Sequence, residues 1–520
     1  MELTIEQALQ QGLAAHKEGK IEEAERIYRT ILNAQPAHPD ANHNLGVIAV
    51  SVNNAGAALP LFKNALDANP NIEQFWLSYI DGLIKENQLK TAKTVLAEAR
   101  KMKIVGEKIE ALEEQLKQIS NSPSQKQLNI LLEHFQNQRY DESEKLAESI
   151  TKEFPTHQFS WKILGAVLGM QSNRLSEAVN ANQRAVQLAP EDGEAHNNLG
   201  NTLQELGRLE EAEKCFKQSI AVKPDFAIAH NNLGITLQDL GRLEEAAINF
   251  TQATTLKPDF SEAFWNLTGT VKTVTEAEHF LDKCLTADAS HVAAKLTKAA
   301  LRFYQGDKAA FDGLMKSKFN DHPLTRSFSW AFSLPHLPEL HFNKWSFFDS
   351  IVKKSITSRP YYEFGVWRGA AFKYLIKSFK KGYGFDTFSG LPEDWNLGDT
   401  LEKAGFYTSD GKVPDIEGGE FIVGKFEDTL PIFFSEDRPM ASVINFDADL
   451  YSSTICALNF SKLVIDKDSI LIFDEFIVNE SWEQDEFKAL NDFCSVNHCT
   501  YEVLAISFFT KQVAVKLINI

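Results

Sequence analysis

The sequence predicts an α-helical repeat solenoid followed by an α/β domain, whose sheet is seven-stranded, mostly parallel and closed by an antiparallel hairpin strand. Three observations lead to this fold class. Residues recur at a spacing of 34 through the first three-fifths of the chain. After residue 360, apolar β-rich segments alternate with helical ones. The last two apolar segments are separated only by residues 508–511, which predicts a hairpin.

The composition is that of a globular protein, with 43% hydrophobic and 24% charged residues in a chain of 520. That length suits two or three domains. The net charge of −18 gives no basic field for a nucleic-acid backbone, so we expect no nucleic-acid partner. The first twenty residues lack a secretion-signal pattern, no apolar run is long enough to span a membrane, and five cysteines form no even disulfide framework. We therefore expect a cytoplasmic protein without a membrane span.

The repeats are recognised from small residues and prolines at fixed positions. Gly200 and Gly234 lie 34 residues apart, Ala212 and Ala246 repeat that spacing, and Lys-Pro-Asp ends each of these repeats. Small residues let paired helices approach closely, and proline cannot continue a helix. The pattern resembles the tetratricopeptide repeat. It predicts three repeats in 5–106, four in 124–260 and degenerate pairs to about residue 320.

The repeat pattern, and the later change to alternating strand-like and helical segments, divide the chain into five parts. The linker is helical in pattern but lacks the repeat signature, and whether it bends the solenoid stays open. The connector is rich in aromatic residues and is expected to join its neighbours by packing. The predicted parts are a first repeat block at 1–106, the linker at 107–123, a second repeat block at 124–320, the connector at 321–355 and the α/β domain at 356–520.

One asparagine recurs in the first helix of successive repeats, as Asn198, Asn232 and Asn266, with Asn44 at the same position in the first block. Side chains at this position would line the concave face, where a row of amides can pair with the backbone of an extended peptide. The row resembles the asparagine ladder of the O-GlcNAc transferase superhelix. The alternative is that each asparagine only bonds to the neighbouring helix. In either case the array predicts a protein or peptide partner.

Glycines and an acid follow the first two strands of the predicted sheet. Glu363, Gly365 and Gly369 surround the end of the first strand, and Asp386 ends the next, 23 residues after Glu363. In doubly wound sheets the ligand lies beyond the carboxyl ends of the strands, where the strand order reverses. A carboxylate there can accept hydrogen bonds from ribose hydroxyls, which predicts a nucleoside site. The alternative for Asp386 is a helix-capping role.

Acidic pairs follow two later strands. Asp447 and Asp449 come after one, and Asp474 and Glu475 come after another, 27 residues further on. Adjacent parallel strands would bring these carboxylates to one edge of the sheet, where they repel one another and require a cation. Hard oxygen ligands select Mg²⁺, Ca²⁺ or Mn²⁺. The alternative is a capping or turn role for two of the four.

Five motifs from this domain resemble the macrocin O-methyltransferase family, in the same order over about residues 355–520. They are EFGVWRGAA, GFDTFSGLPEDW, GKFEDTLP, INFDADLYSST and IFDEF. The resemblance implies a Rossmann-like methyltransferase domain that uses S-adenosylmethionine and a divalent metal, such as Mg²⁺, to methylate a hydroxyl, typically of a sugar. It also implies site residues: Glu363, Gly365, Gly369 and Asp386 for the cofactor, Gly424 and Phe426 near its adenine, and Asp447, Asp474 and Glu475 for the metal. We expect Asp447 or Asp449 to accept the proton of the hydroxyl.

The segment 392–418 is an insertion between strands and holds Trp395, Phe406 and Tyr407 among polar residues. It is a candidate lid over the methyl acceptor, because long insertions of this kind often become ordered when ligand binds. A purely structural loop is the alternative.

Two other functions stay open. A metal-dependent glycosyltransferase would use Asp447 and Asp449 to hold a cation on a sugar-nucleotide diphosphate, but it leaves Gly365, Gly369 and Asp386 without a role. A non-catalytic repeat scaffold would use the array alone.

Overall fold

The structure is a computed structural model that describes residues 3–171, 174–397 and 400–519, apart from the side chains of residues 118 and 120. The chain forms two compact units, one that ends at Ser160 and one that begins at Trp161. The division of the chain into five parts stays a prediction.

The described residues before 323 form nineteen helices and a few turns. They are α1 (Ile5–Lys17), α2 (Ile21–Ala34), α3 (Pro39–Ser51), α4 (Ala55–Ala68), α5 (Glu73–Lys85), α6 (Leu89–Lys101), α7 (Glu107–Ser120), α8 (Gln125–Gln136), α9 (Tyr140–Glu153), α10 (Gln158–Gly169), α11 (Leu175–Leu188), α12 (Gly193–Glu205), α13 (Leu209–Val222), α14 (Ala227–Asp239), α15 (Leu243–Leu256), α16 (Ser261–Thr268), α17 (Val274–Ala287), α18 (Val292–Tyr304) and α19 (Ala309–Leu314).

The repeating small residues allow the close helix contacts that the sequence predicts. A Cβ atom at Gly46 would lie 2.6 Å from Cε1 of Phe62, and one at Gly200 would lie 2.6 Å from Cε1 of Phe216. Only glycine therefore lets the aromatic ring of the second helix lie against the backbone of the first. The helical repeat array is confirmed.

The segment after the first three repeats is a helix, as predicted. Its apolar side chains Ile109 and Leu116 are buried in one core with residues of α5 and α6. The helix α7 therefore covers the end of the third repeat within the first unit.

In the second unit the helices lead into an α/β region. Its elements are α20 (Pro323–Ser333), β1 (Glu339–His341), α21 (Lys344–Lys354), β2 (Tyr361–Phe364), α22 (Ala370–Leu375), β3 (Gly382–Asp386), β4 (Trp395–Asn396), β5 (Leu401–Glu402), β6 (Gly419–Val423), α23 (Phe426–Phe433), β7 (Val443–Phe446), α24 (Tyr451–Ser461), β8 (Ile470–Phe473), α25 (Glu486–Asn497), β9 (Thr500–Ser507) and β10 (Val513–Ile518).

The sheet is mixed and runs in the order β1-β9-β10-β8-β7-β2-β3-β6. Strand β10 is antiparallel to both of its neighbours, β8 and β9, and the other strand pairs are parallel. The seven predicted strands are present, and so is the antiparallel hairpin strand. The predicted number of seven is wrong, because β1 adds an eighth strand at the edge beside β9. This three-residue strand lies in the predicted connector and is too short to give a period-two pattern.

The central strands share one aromatic row. Phe364, Phe385, Phe446 and Phe473 are register partners on β2, β3, β7 and β8, and their rings stack on one another across the sheet. This row fixes the register, because a slip by one residue would turn every side chain to the opposite face. The residues that follow the row are therefore held at one level.

Candidate functional site

The predicted motif residues lie side by side at the carboxyl edge of the sheet. Backbone hydrogen bonds continue one residue past the aromatic row, from Gly365 N to Phe385 O, from Asp447 N to Phe364 O and from Asp474 N to Phe446 O. Strand β2 has β3 on one side and β7 on the other, so the strand order reverses beside it. This is the point in an open α/β sheet at which a ligand is expected.

A cavity of about 350 Å³ opens above this edge. Eight of the predicted site residues line it, and Gly369 and Gly424 do not. The eight are Glu363, Gly365, Asp386, Phe426, Asp447, Asp449, Asp474 and Glu475.

The two glycines after β2 are required by the protein's own backbone and side chains. Gly365 has φ +89°, and a Cβ atom there would overlap the carbonyl oxygen of Asp447. Gly369 has φ +77°, and a Cβ atom there would lie 2.8 Å from Cδ1 of Ile416. Gly365 thus lets the loop after β2 approach the loop after β7, and Gly369 lets segment 414–416 lie against the start of α22.

The carboxylate of Asp386 accepts three backbone hydrogen bonds. Its Oδ2 accepts from N of Val366 and N of Trp367, both at 2.7 Å, and its Oδ1 accepts from N of Phe388 at 2.6 Å. An ionised carboxylate offers about four acceptor positions, so most of its capacity holds the two loops that surround it. Asp386 shapes the cavity wall whether or not a ribose also binds there.

Glu363 is buried in the middle of β2, where Tyr361 Oη donates a hydrogen bond to its Oε2. Burial raises the pKa of Glu363 to about 8, and the nearby charge of Asp474 acts in the same direction. The side chain is therefore mostly protonated at neutral pH. A neutral carboxyl group can donate a hydrogen bond to a ligand in the cavity, which an ionised one cannot.

The acids after β7 lie in an environment of excess negative charge, which the charge of Lys511 only partly offsets. Burial raises the pKa of Asp447 well above its usual range, and Asp474 and Asp449 raise it further. Burial also raises the pKa of Asp449, followed by the charges of Glu475 and Asp474. These carboxyl groups are stronger proton acceptors than ordinary aspartates when they are ionised.

The acids after β8 are already partnered within the chain. Lys511 Nζ donates to both carboxylate oxygens of Glu475, at 3.0 and 2.8 Å, and Gln512 Nε2 donates to Oδ1 of Asp474 at 2.7 Å. Within the described ranges, no group of three or more His, Cys, Asp and Glu side chains is arranged to hold a metal ion. The hard oxygen donors and the excess of negative charge suit Mg²⁺, but this arrangement does not form a complete site from Asp447, Asp474 and Glu475.

Several residues of the candidate site were not singled out from the sequence. Lys511 and Gln512 come from the β9–β10 hairpin, and Glu486 is a buried acid at the start of α25 that accepts from N of Glu475 at 3.0 Å. A lysine in an otherwise apolar hairpin was the only available signal for Lys511 and Gln512. The repeat array also lines the cavity, through Gln204, Gly207, Leu209 and Asp239, and nothing in the repeat pattern marks these residues.

The three aromatic residues of the proposed lid differ in what they contact. Tyr407 lines the main cavity. Phe406 lines a neighbouring cavity of about 200 Å³. Trp395 is buried with Leu391 and Leu450. Residues 398 and 399 of this segment lie outside the described residues, and its role as a lid stays a prediction.

The repeated asparagines bond to the neighbouring repeat. Asn232 Nδ2 donates to Oδ1 of Asn197 at 3.1 Å and of Asn201 at 2.9 Å, and Asn266 Nδ2 donates to Oδ1 of Asn231 at 3.0 Å. Asn232 uses both of its amide donors in this way, so none is left for a peptide carbonyl, whereas the bond of Asn266 uses one of its two. The geometry favours the structural alternative for Asn232.

The helical part of the chain matches family models of the tetratricopeptide repeat. One model matches residues 191–259, and another matches residues 9–79 and 164–213. The repeats are tetratricopeptide repeats. Arrays of this kind expose a concave surface that binds protein or peptide partners.

Solved structures similar to this chain include other repeat proteins. PilW, a type IV pilus biogenesis factor, is 19% identical over 38% of this chain and 94% of that one, with a TM-score of 0.34. The MamA protein is 17% identical over 32% and 92%, with a TM-score of 0.28. YrrB, described as a TPR protein with an unusual peptide-binding site, is 19% identical over 45% and 95%, with a TM-score of 0.20. At these TM-scores none carries an argument about this chain.

No curated protein matches the sequence. Among the helices of the described residues, none has the length and apolar character needed to cross a membrane.

Proposed function

We propose that the second unit is an S-adenosylmethionine-dependent O-methyltransferase that acts on a sugar or glycan hydroxyl, with the repeats as its protein-binding part. The observation that carries the proposal is the cavity at the point of strand reversal, lined by Glu363, Gly365, Asp386 and Phe426 beside the acids after β7. The resemblance of these motifs to the macrocin O-methyltransferases supplies the cofactor and the acceptor class.

The roles in this proposal follow the places of the side chains in the cavity. Phe426 begins α23 and offers its ring to the adenine, and Asp386 offers its remaining acceptor capacity to a ribose hydroxyl. Glu363 and Gly365 lie between these positions and the acids. Gly369 and Gly424 act on the shape of the loops, since neither lines the cavity.

The reaction needs a proton acceptor beside the hydroxyl. The acceptor oxygen attacks the sulfonium methyl group, a C–O bond forms as the C–S bond breaks, and the hydroxyl proton passes to a carboxylate. Asp449 is our choice for that carboxylate, because it lines the cavity together with the other strand-end acids. Asp447 is the other candidate in the same wall.

A divalent cation stays part of the proposal. Binding at the three predicted ligands requires Glu475 to leave Lys511 or to share its carboxylate. Asp447, Asp449 and the free oxygen of Asp474 offer donors without that change.

The second candidate function is a repeat scaffold without catalysis. The family matches favour it, because they identify tetratricopeptide repeats, which bind protein or peptide partners. In that case the cavity of the second unit would bind neither an adenosyl nor a uridyl ligand.

Calorimetric titration of the full chain with S-adenosylhomocysteine and, separately, UDP distinguishes these functions, each with and without Mg²⁺. We expect S-adenosylhomocysteine to bind, Asp386→Ala to abolish the binding, and the exposed control Asp428→Ala to retain it. Metal-dependent binding of UDP alone would favour a glycosyltransferase that uses Asp447 and Asp449. Binding of neither ligand would favour the scaffold.

A further inference from the structure

The repeat array forms part of the wall of the cavity in the second unit. The cavity is lined by Gln204 near the end of α12, Gly207 in the following turn, Leu209 at the start of α13 and Asp239 at the end of α14, together with the strand-end residues. The array therefore contributes side chains to the site, in addition to the surface that it offers to a protein partner.

Two contacts hold the array in this position. The indole Nε1 of Trp345 donates to the carbonyl oxygen of Gln238 at 2.6 Å, which ties the first turn of α21 to the end of α14. The ring of Trp367 lies on the turn after α12, where a Cβ atom at Gly207 would be 2.6 Å from its Cζ2. Both contacts come from segments next to cavity residues, so the array wall is fixed relative to the loop after β2.

The charges on this wall differ from those at the strand ends. Lys344 and Arg368 both line the cavity. The charge of Lys344 acts on Asp239, and Cδ of Arg368 would lie 3.0 Å from a Cβ atom at Gly207. Arg368 Nε is buried and has no hydrogen-bond partner. The strand ends, in contrast, carry Asp447, Asp449, Asp474 and Glu475, which repel a carboxylate.

The carboxyl group of Asp239 lies near the polar side chains of Lys344 and Gln204. Burial raises the pKa of Asp239, while the charge of Lys344 and a hydrogen bond with Gln204 lower it. The residue is half-buried, and it lines the cavity. A cationic group that enters the cavity would complete its interactions.

We propose that this wall binds the amino-acid end of S-adenosylmethionine, with Asp239 and Gln204 accepting hydrogen bonds from its ammonium group and Lys344 binding its carboxylate. A zwitterion complements an acid and a base that lie side by side, and the acid-rich strand ends would exclude its carboxylate. The proposal rests on the proposed function, and it adds that the tetratricopeptide array takes part directly in cofactor binding.

The test compares S-adenosylhomocysteine with 5′-methylthioadenosine, which keeps the adenosine and the sulfur but lacks the amino-acid end. Both are titrated calorimetrically into the full chain and into Asp239→Asn and Lys344→Gln. We expect each substitution to lower the affinity for S-adenosylhomocysteine by about tenfold or more, because each removes a hydrogen bond that involves a charged group. We expect the affinity of each variant for 5′-methylthioadenosine to stay within about twofold of the wild-type affinity. This ligand has no amino-acid end, so it has no charge-assisted contact with Asp239 or Lys344 to lose.

Asp259→Asn is the matched control, because Asp259 is an exposed aspartate of the same array outside the cavity. It should change neither affinity. Unchanged affinity for S-adenosylhomocysteine in both cavity variants would overturn the inference while the proposed function stands. An equal loss of affinity for both ligands would also overturn it, because the wall would then act only through the shape of the cavity. A wild-type protein that binds neither ligand would overturn the proposed function itself.

Discussion

The first and second repeat blocks share one local pattern and differ in what their turns contact. Gly19 and Gly207 occupy the same turn between paired helices and have φ +74° and +66°. Nothing lies within 4 Å of a Cβ atom at Gly19, whereas Gly207 lies under the ring of Trp367 in the wall of a cavity. A repeat sequence therefore specifies the turn, and only the residues packed around the turn decide whether it belongs to a site.

The largest expected effect belongs to the second unit alone. We expect Gly365→Ala to destabilise that unit by at least about 4 kcal/mol, because the new Cβ atom would overlap the Asp447 carbonyl oxygen in a backbone that also has positive φ. Hydrogen exchange followed peptide by peptide should then show loss of protection in β2 and β7, with peptides before Ser160 unchanged. Gly313→Ala, where a Cβ atom meets open space, is the control. Equal protection in both variants would contradict the contact.

A pH series should separate the units next. The pKa of Glu363 is about 8 in the folded protein against an ordinary value of 4.5, so the folded state binds a proton that the unfolded state releases. Stability from this group is therefore lost as pH rises from about 4.5 to about 8, by about 1.4 kcal/mol per pH unit. Denaturant unfolding at pH 6 and pH 8 should show Glu363→Gln losing less stability over this interval than the wild type.

The exposed Glu110→Gln in the first unit serves as the control for that series and should follow the wild type. A Glu363→Gln protein that loses as much stability as the wild type between pH 6 and pH 8 would show that Glu363 is ionised when buried.

The two turns themselves give a smaller, direct test. Gly19→Ala should cost about 1 kcal/mol, the strain of an alanine at positive φ. Gly207→Ala should cost about 1 to 3 kcal/mol more, because Trp367 must move to admit the methyl group. Unfolding midpoints measure both costs. Titration with S-adenosylhomocysteine should show a lower affinity for Gly207→Ala alone. Equal costs for the two variants would remove the distinction between the blocks.

The smallest effect concerns the repeated asparagines. Asn232→Ala removes two hydrogen bonds to the preceding repeat and should cost about 1 kcal/mol. Thermal unfolding measures the cost, with Asn44→Ala as the equivalent change in the first block. If Asn232 instead serves a bound peptide, the unfolding temperature would stay constant and only capture of that peptide would fall.

Much of the fold was predictable because the repeat and strand patterns are local. The spacing of Gly200 and Gly234 predicted paired helices, and the apolar segments before Asp386 and Asp447 predicted parallel strands with acids at one edge. The strand β1 was not predictable, because three residues between two helices carry no periodic signal. The number of strands in the sheet was wrong for that reason.

The candidate site was predictable only in part. The motifs at the strand ends predicted acids and glycines at one edge of the sheet, and eight of the predicted site residues line one cavity. The resemblance implied a cofactor role for Gly369 and Gly424, which do not line that cavity, and this role stays a prediction. The resemblance also implied Glu475 as a metal ligand, without indicating its lysine partner. Its partner, Lys511, lies 36 residues later on a hairpin, and no local pattern connects the two.

The sequence by itself determined the repeat period, the order of strands along the chain and the acids that follow them, because each depends on residues close together in the chain. Only the tertiary structure decided that the turn at Gly207 and the carboxyl group of Asp239 belong to the cavity, and that Lys511 neutralises Glu475. These contacts join elements far apart in sequence, so they arise from the packing of whole surfaces against one another and not from any local preference.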